Sequence, residues 1–479
     1  SNLVAEDANE ITNQDIRAVL LWRATDDLTL RAQVSHYQPE QDYTQSLNSL
    51  EPPQLGFTGA TAGYETGDFN LYSVVADYDA GFATLTSSTS YLDAEFGYLQ
   101  GQFLGVLGQG TLFNGYDATS FAQELQLRSN SEGPLHWLLG AYYQDARGTF
   151  AFDAATAIIA ADGFTRTDTQ NYSLFGEVSY ELFGGKVVPL VGLRYYVDDR
   201  EMLSEQTFNG VPSTGGATAN PEELTWRVNV AFHPTDNLMA YVTAGTGFRS
   251  GITQTQLQVF ALSLDGIASQ QALDPDSLTN YEAGVRATLS PRLQVGASLY
   301  HMTFEDLQFA ITGSAGISAF TNIGDAETTG LDLDIQWRTP IDGLTLSAIA
   351  NFNDSKFGTV DPAVTAVLPV IASGERLVNT AEWNYRIDAS YERPITDSLS
   401  FISNASATHV SERIMFDNYA TPAYGLYDAS IGIRSDNWEL SLFGDNLSDE
   451  RGPSFVRNSL LFAGPAPRTI GLRLRADIN

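Results

Sequence analysis

Five histidines, His36, His136, His233, His301 and His409, are the first place to look for metal or acid–base chemistry in these 479 residues. They stand singly on different stretches, with neither HxH nor HExxH spacing, so no two share the face that a metal site needs. The chain has no cysteine, which removes thiolate ligands and disulfides together. No G-x-S-x-G nucleophile elbow is visible. Gly245 and Gly247 follow an alternating stretch but open no helix, so they build no phosphate cradle. Paired acids such as Asp332 and Asp334 suggest a hydrolytic dyad, but that chemistry needs burial to separate their pKa values. The expectation is a protein that is not an enzyme, with no metal and no cofactor.

Aromatic side chains point to binding instead. Tyr43, Phe57 and Tyr64 fall in one polar connecting segment, and Phe103, Phe113 and Tyr116 in the next. Exposed rings can grip flat or sugar-like ligands; the competing explanation is packing of such segments on themselves. Together with Arg249 they form the candidate ligand-binding set. Segment 39–68 holds Glu40, Asp42, Glu51, Glu65 and Asp68 with no Lys or Arg, and segment 251–277 holds Asp265, Asp274 and Asp276. A polyanion is usually steered by a basic mouth. These segments therefore suit a neutral or cationic organic ligand, or divalent ions bridging to lipopolysaccharide.

The elements that carry these residues repeat with a period of two. In 331–338, Leu331, Leu333, Ile335 and Trp337 lie on one face, and Asp332, Asp334, Gln336 and Arg338 on the other. Segments 224–232, 281–289 and 469–478 alternate in the same way. A strand sorts residues like this, whereas a helix spreads them around its axis. Soluble sheets alternate too, so the identity of the polar residues matters. Asp332, Asp334, Arg286, Arg473 and Arg475 would sit badly in a small packed core. An apolar face toward lipid and a polar face toward a wide wet lumen satisfies both. Trp22, Tyr195, Trp226, Trp337 and Trp438 stand on apolar faces near strand ends, as an interfacial girdle requires.

Connections alternate between short and long. Short links lie near Asp26, Gly81, Gly133, Gly184, Asp236, Pro291, Asp342, Asp397 and Asp436; long ones include 39–68, 251–277 and 358–379. Outer-membrane barrels have short periplasmic turns and long extracellular loops, which places the candidate ligand residues outside the cell. No run of 18 apolar residues exists, so no helix spans a bilayer, though a barrel strand needs only about 9–11 residues. The fold class expected is all-β: a transmembrane antiparallel β-barrel filling residues 1–479, with about 19 strands. A balance of 58 acidic against 25 basic residues, net −33, argues against a nucleic-acid partner. The first seven residues lack the basic start and apolar core of a signal peptide, as a mature or truncated chain would.

Five ordered segments resemble TonB-dependent receptors. Gly245-Thr246-Gly247-Phe248-Arg249-Ser250-Gly251 resembles their GFRSGG strand end, and Leu278-Thr279-Asn280-Tyr281-Glu282-Ala283-Gly284 their ENYELG-type strand start. Residues 321–333 (TNIGDAETTGLDL), 443–451 (FGDNLSDER) and 467–478 are similar to three further family segments toward the C-terminus. Ile252 departs from the second glycine of the first segment, and Ile478 from the usual terminal aromatic. The resemblance implies an importer of a scarce or bulky nutrient such as a ferric siderophore or saccharide. It further implies an outer-membrane location, lipid and lipopolysaccharide contacts, and a TonB complex acting through a plug domain. It also implies 22 strands around that plug, of which this chain matches the fourth onward, without plug or TonB box. A plugless diffusion channel and a surface-binding, adhesive barrel remain as alternatives.

Overall fold

The computed structural model describes residues 11–42, 63–103, 109–156, 160–314, 317–415, 420–452, 455–458 and 461–476. Its first eleven strands are β1 (Ile11–Arg23), β2 (Leu28–Asp42), β3 (Tyr64–Asp79), β4 (Ala83–Phe103), β5 (Gln109–Ser129), β6 (Leu135–Thr156), β7 (Ala160–Tyr180), β8 (Val187–Phe208), β9 (Val211–Ala219), β10 (Glu222–Thr235) and β11 (Leu238–Arg249). Helix α1 (Gln256–Ser263) follows, then β12 (Asp276–Ser290), β13 (Leu293–Glu305), β14 (Gln308–Thr312), β15 (Ser318–Asn322), β16 (Gly324–Arg338) and β17 (Leu344–Val360). Helix α2 (Pro362–Val367) precedes β18 (Trp383–Thr396), β19 (Leu399–Val410), β20 (Arg413–Ile414), β21 (Ala420–Thr421), β22 (Tyr424–Ser435), β23 (Trp438–Asp445), β24 (Phe455–Asn458), β25 (Leu461–Ala463) and β26 (Thr469–Ala476).

Twenty strands form one antiparallel sheet. Strands β9 and β10 both pair with β8, β9 against its second half and β10 against its first. They are one stave interrupted at Asn220-Pro221, where proline cannot donate to a ladder. Twenty strands therefore make nineteen staves, in agreement with the count from alternation. Among the described residues β1 pairs only with β2, and β26 only with β23. In an odd antiparallel series those two edges run the same way.

Alternation sorts the faces as the sequence predicts. Leu299, Ile335, Leu472 and Leu474 share the outer face and are exposed, Leu472 by 74%. Such exposure is unfavourable in water and suits hydrocarbon. Short turns form where expected: Gly81, Gly184 and Gly343 all have positive φ. Gly343 has no substitute, because a Cβ there would overlap the Glu392 carbonyl.

The long connections differ from the plain loops that composition predicts. Segment 251–275 contains α1, capped by Thr255 and Gln258 in a reciprocal box: Thr255 Oγ accepts from Gln258 N at 3.2 Å, and Gln258 Oε1 accepts from Thr255 N at 2.9 Å. Segment 361–382 contains α2, with Pro362 in its first turn and Asp361 accepting from Ala363 N at 2.9 Å. Between β13 and β16 stands the β14–β15 hairpin. These three segments share one hydrophobic core, with Leu262, Ile267, Ile311, Phe357, Val364 and Ile371 almost fully enclosed. Each such side chain contributes about 1.5–3 kcal/mol. The core of this molecule is thus an extracellular cap.

On the opposite wall β4 to β8 run 21 or 22 residues each, longer than a bilayer requires. The β8–β9 hairpin turns on Asn209-Gly210, both at positive φ, the pair that a tight hairpin turn favours.

Candidate functional site

Height along the tall wall is set by a row of rings on its outer face. Tyr72 and Tyr91 have centroids 6.5 Å apart, Phe121 and Tyr143 6.3 Å, and Tyr143 and Tyr172 5.1 Å. Such rings seat at the membrane–water interface. Directly above them the outer face turns charged, with Asp93, Glu95, Asp117 and Asp145. There Arg147 Nε meets Asp168 at 2.5 Å, and Arg166 Nε meets it at 3.1 Å.

The inner face does the opposite. Phe96, Tyr116 and Phe150 stand directly across from one another on β4, β5 and β6. Their centroids are 6.3 Å and 4.9 Å apart. Tyr98 and Phe152 extend the row upward, each 6.0 Å from its strand neighbour. Their parity is opposite to that of Tyr91, Phe121 and Tyr143, with no register shift between, so all five rings face the lumen. Tyr116 lies five residues from Phe121, about 17 Å along the strand at 3.3 Å per residue. The rings therefore line the lumen above the membrane. Below the row, lumen-facing Ala94, Ala118, Gly148 and Thr167 carry no charge, whereas Glu65 stands directly across from Tyr98 on the same face.

The candidate residues are divided by this geometry. Tyr116 stands in the middle of the ring row and is 43% exposed. Phe113 and Tyr64 lie on strands β5 and β3, and both face away from the lumen. The segment carrying Phe103, Phe113 and Tyr116 was expected to be a loop; β4 and β5 pair through it, with Phe103 opposite Gln109. Tyr43 and Phe57 lie outside the described residues. Phe96, Tyr98, Phe150 and Phe152 were missed, although Phe96-Gly97-Tyr98 and Phe150-Ala151-Phe152 alternate rings with small residues.

Arg249 ends β11 and ties the cap to the wall. Its Nε donates to both Asp276 oxygens at 3.0 and 2.9 Å, and Nη2 donates to the Gln308 carbonyl at 3.1 Å. Asp276 is 3% exposed at its side chain while Arg249 is 57% exposed. The Gln308 N–H donates to Asp276 at 3.0 Å, and its side-chain amide donates to the Asp274 carbonyl at 2.9 Å. Next to it, fully buried Asp198 accepts from Arg200 at 2.9 Å and from the Ser250 hydroxyl, while Arg200 donates to the Gly251 carbonyl at 2.6 Å. Farther out in the cap, the hydroxyl and backbone N–H of Ser314 hold Asp265 below the usual carboxylate range.

Four histidines have local partners on separate strands: His36 with Asn70 at 2.8 Å, His136 with Glu181 at 3.3 Å, His301 with Thr329 at 2.9 Å, and His409 stacked 4.9 Å from Tyr385. Among the described residues no three His, Asp or Glu side chains gather. Grooves lined by Val228, Val242 and Leu299, or by Leu139, Leu174 and Leu193, lie on the outer apolar face.

The fold defines the wall of a transmembrane antiparallel barrel with an apolar outer face, a polar inner face and a packed cap on its long connections. The family described as TonB dependent receptor-like, beta-barrel matches residues 21–447. The chain belongs to that family; it is an outer-membrane receptor barrel, and its relatives are transporters rather than enzymes. Solved structures agree in fold. The ferric yersiniabactin uptake receptor FyuA from Yersinia pestis is 16% identical, with a TM-score of 0.80 over 98% of this chain and 70% of its own. The siderophore receptor PiuA from Acinetobacter baumannii is 14% identical, with a TM-score of 0.77 over 98% and 74%. The ferric-catecholate import receptor Fiu from E. coli is 13% identical, with a TM-score of 0.76 over 98% and 74%.

Proposed function

We propose that residues 1–479 form most of the barrel of a receptor that imports a ferric siderophore with energy supplied through TonB. The observation that carries this reading is the family match, reinforced by structural neighbours that are ferric-siderophore receptors. Ligand enters at the lumen mouth between the tall wall and the cap. Lipid and lipopolysaccharide cover the apolar outer face and the charged belt above the girdle. Among the described residues one edge of β1 and one of β26 have no partner strand, which supports completion by further strands, since open backbone in lipid costs several kcal/mol per unsatisfied group. Three strands would make 22 and restore antiparallel closure around a plug, through which TonB acts.

The test is uptake of radioactive iron by cells with and without the gene, in backgrounds with and without TonB. Ferric siderophores of several chemistries, cobalamin and oligosaccharides are supplied at limiting concentration. Loss of uptake of at least one ferric siderophore, in the deletion and in the TonB-deficient strain alike, is expected. Unchanged uptake across the panel overturns the reading. A large voltage-independent conductance of the full receptor would favour a diffusion channel.

A further inference from the structure

We infer that Phe183, at the tip of the β7–β8 turn, anchors the tall wall in phospholipid of the periplasmic leaflet, with Phe82 of the β3–β4 turn as a second anchor. This needs only the barrel and is independent of what the receptor imports. Two unfavourable features meet at Phe183. Its φ is +53°, and Gly184 and Gly185 follow at +68° and +83°. Among the described residues, every other non-glycine position at positive φ is Asn or Asp: Asn209, Asp306, Asn379, Asn446 and Asp449. Those short polar residues tolerate that region, whereas a bulky ring there is an outlier. Strand β8 itself turns at its other end on Asn209-Gly210, the pair suited to a tight hairpin. Phe183 is also 79% exposed, and Phe82 70%. In water such a ring is unfavourable in both backbone and solvation; an apolar cover offsets both.

Continuity and depth identify that cover as lipid. On β7 the outward residues below the upper ring Tyr172 are Leu174, Gly176, Val178 and Tyr180, and exposed Leu182 carries the apolar face on to the turn. Tyr180 lies eight residues below Tyr172. That is about 26 Å along the strand at 3.3 Å per residue, or about 20 Å of height at a ~40° tilt. The apolar band of an outer-membrane barrel is about 25 Å tall, so a belt ending at Tyr180 stops roughly 5 Å short. Phe183, three residues farther, brings the height to about 28 Å, and Phe82, nine residues below Tyr91, reaches about 23 Å. Both rings therefore stand where hydrocarbon meets the periplasmic headgroups. Exposed Lys186, three residues beyond Phe183, has the stem and charge to reach lipid phosphate from there.

The test uses the full receptor, first in native outer-membrane vesicles. A photoreactive p-benzoylphenylalanine at position 183 or 82 keeps an aromatic ring and bonds on irradiation to whatever it touches. A phospholipid adduct in the mass spectrum is expected at both positions; an adduct to protein, or none, overturns the anchor. Stability is then compared in vesicles of dimyristoyl and of the shorter didecanoyl phosphatidylcholine, as the temperature at which heat-modifiable gel mobility is lost. Phe183→Asn suits the positive φ and removes the ring, whereas Phe183→Trp keeps a ring. In the thicker bilayer Phe183→Asn should melt several degrees below the parent and Phe183→Trp beside it. In the thinner bilayer the turn lies outside the hydrocarbon, so Phe183→Asn should melt at or above the parent, with only the backbone relief left. Phe82→Ser, which relieves no positive φ, should lose stability in the thicker bilayer and match the parent in the thinner. A gain for Phe183→Asn in both bilayers overturns the inference, because the residue would then be a strained turn and nothing more. An equal loss in both, or no change in either, overturns it too, since neither depends on lipid reaching the turn.

Discussion

Breaking the Arg249–Asp276 pair from either side should have unequal consequences. Asp276 is buried and accepts from Arg249 and from the Gln308 N–H, whereas Arg249 keeps more than half its side chain in water. In Arg249→Ala the carboxylate stays enclosed with a single main donor, and an uncompensated buried charge costs about 3 kcal/mol or more. In Asp276→Ala the freed guanidinium hydrates where it stands. The loss is then mainly the Gln308 N–H left without an acceptor, about 1–2 kcal/mol. Removing both should resemble Asp276→Ala alone, because the buried charge has gone, so the two losses do not add. Hydrogen exchange of amides in 251–275 and 307–323, read on the receptor in detergent, reports this directly. At about tenfold per 1.4 kcal/mol, Arg249→Ala should speed exchange on the order of a hundredfold, and Asp276→Ala or the double variant about tenfold. Equal effects of the two single changes, or a double variant worse than Arg249→Ala, would refute the argument. It would mean that Arg249 does not anchor the cap and is free to serve the ligand.

Three further outcomes follow from the same geometry. Leu299→Arg, on the exposed outer face of β13, should cost about 2–4 kcal/mol of insertion free energy. Ser298→Arg, its lumen-facing neighbour, should cost far less; folding yield into lipid vesicles, read by heat-modifiable gel mobility, compares them. Asp265 has a folded pKa below its unfolded value because of Ser314. Its stabilisation is therefore complete above the ordinary aspartate pKa near ~4 and is lost as pH falls through the lower folded value. Cap exchange should rise only in strong acid, and in Ser314→Ala the rise should begin at a higher pH. Gly343→Ala, at φ +86° and against the Glu392 carbonyl, should cost about 1–3 kcal/mol. Gly184→Ala, at φ +68° in open space, should cost about 1 kcal/mol; relative assembly rates of the two variants check the order.

Much of this protein was legible in its amino acids because barrel strands obey a strict local rule. Successive side chains alternate between lipid and lumen, so Leu331, Leu333 and Ile335 could be assigned to one face and Asp332 and Asp334 to the other from residue type alone. Turn glycines such as Gly81 and Gly184 marked the short ends, and the stave count followed. Period two, however, says nothing about which rows of neighbouring strands stand side by side. Phe96, Tyr116 and Phe150 become one surface only through a hydrogen-bond register spanning three strands, whereas alternation within β5 alone puts Phe113, three residues from Tyr116, on the other side of the wall. The cap was hidden for a related reason. Leu262, Ile311 and Ile371 belong to three connections far apart in sequence, and they bury one another only when the barrel holds its strand ends together. Arg249 was legible as a candidate by type and place. Its tie to Asp276 and Gln308 was not, since those partners arrive from 27 and 59 residues away, and only the folded rim brings a buried carboxylate within reach of its guanidinium.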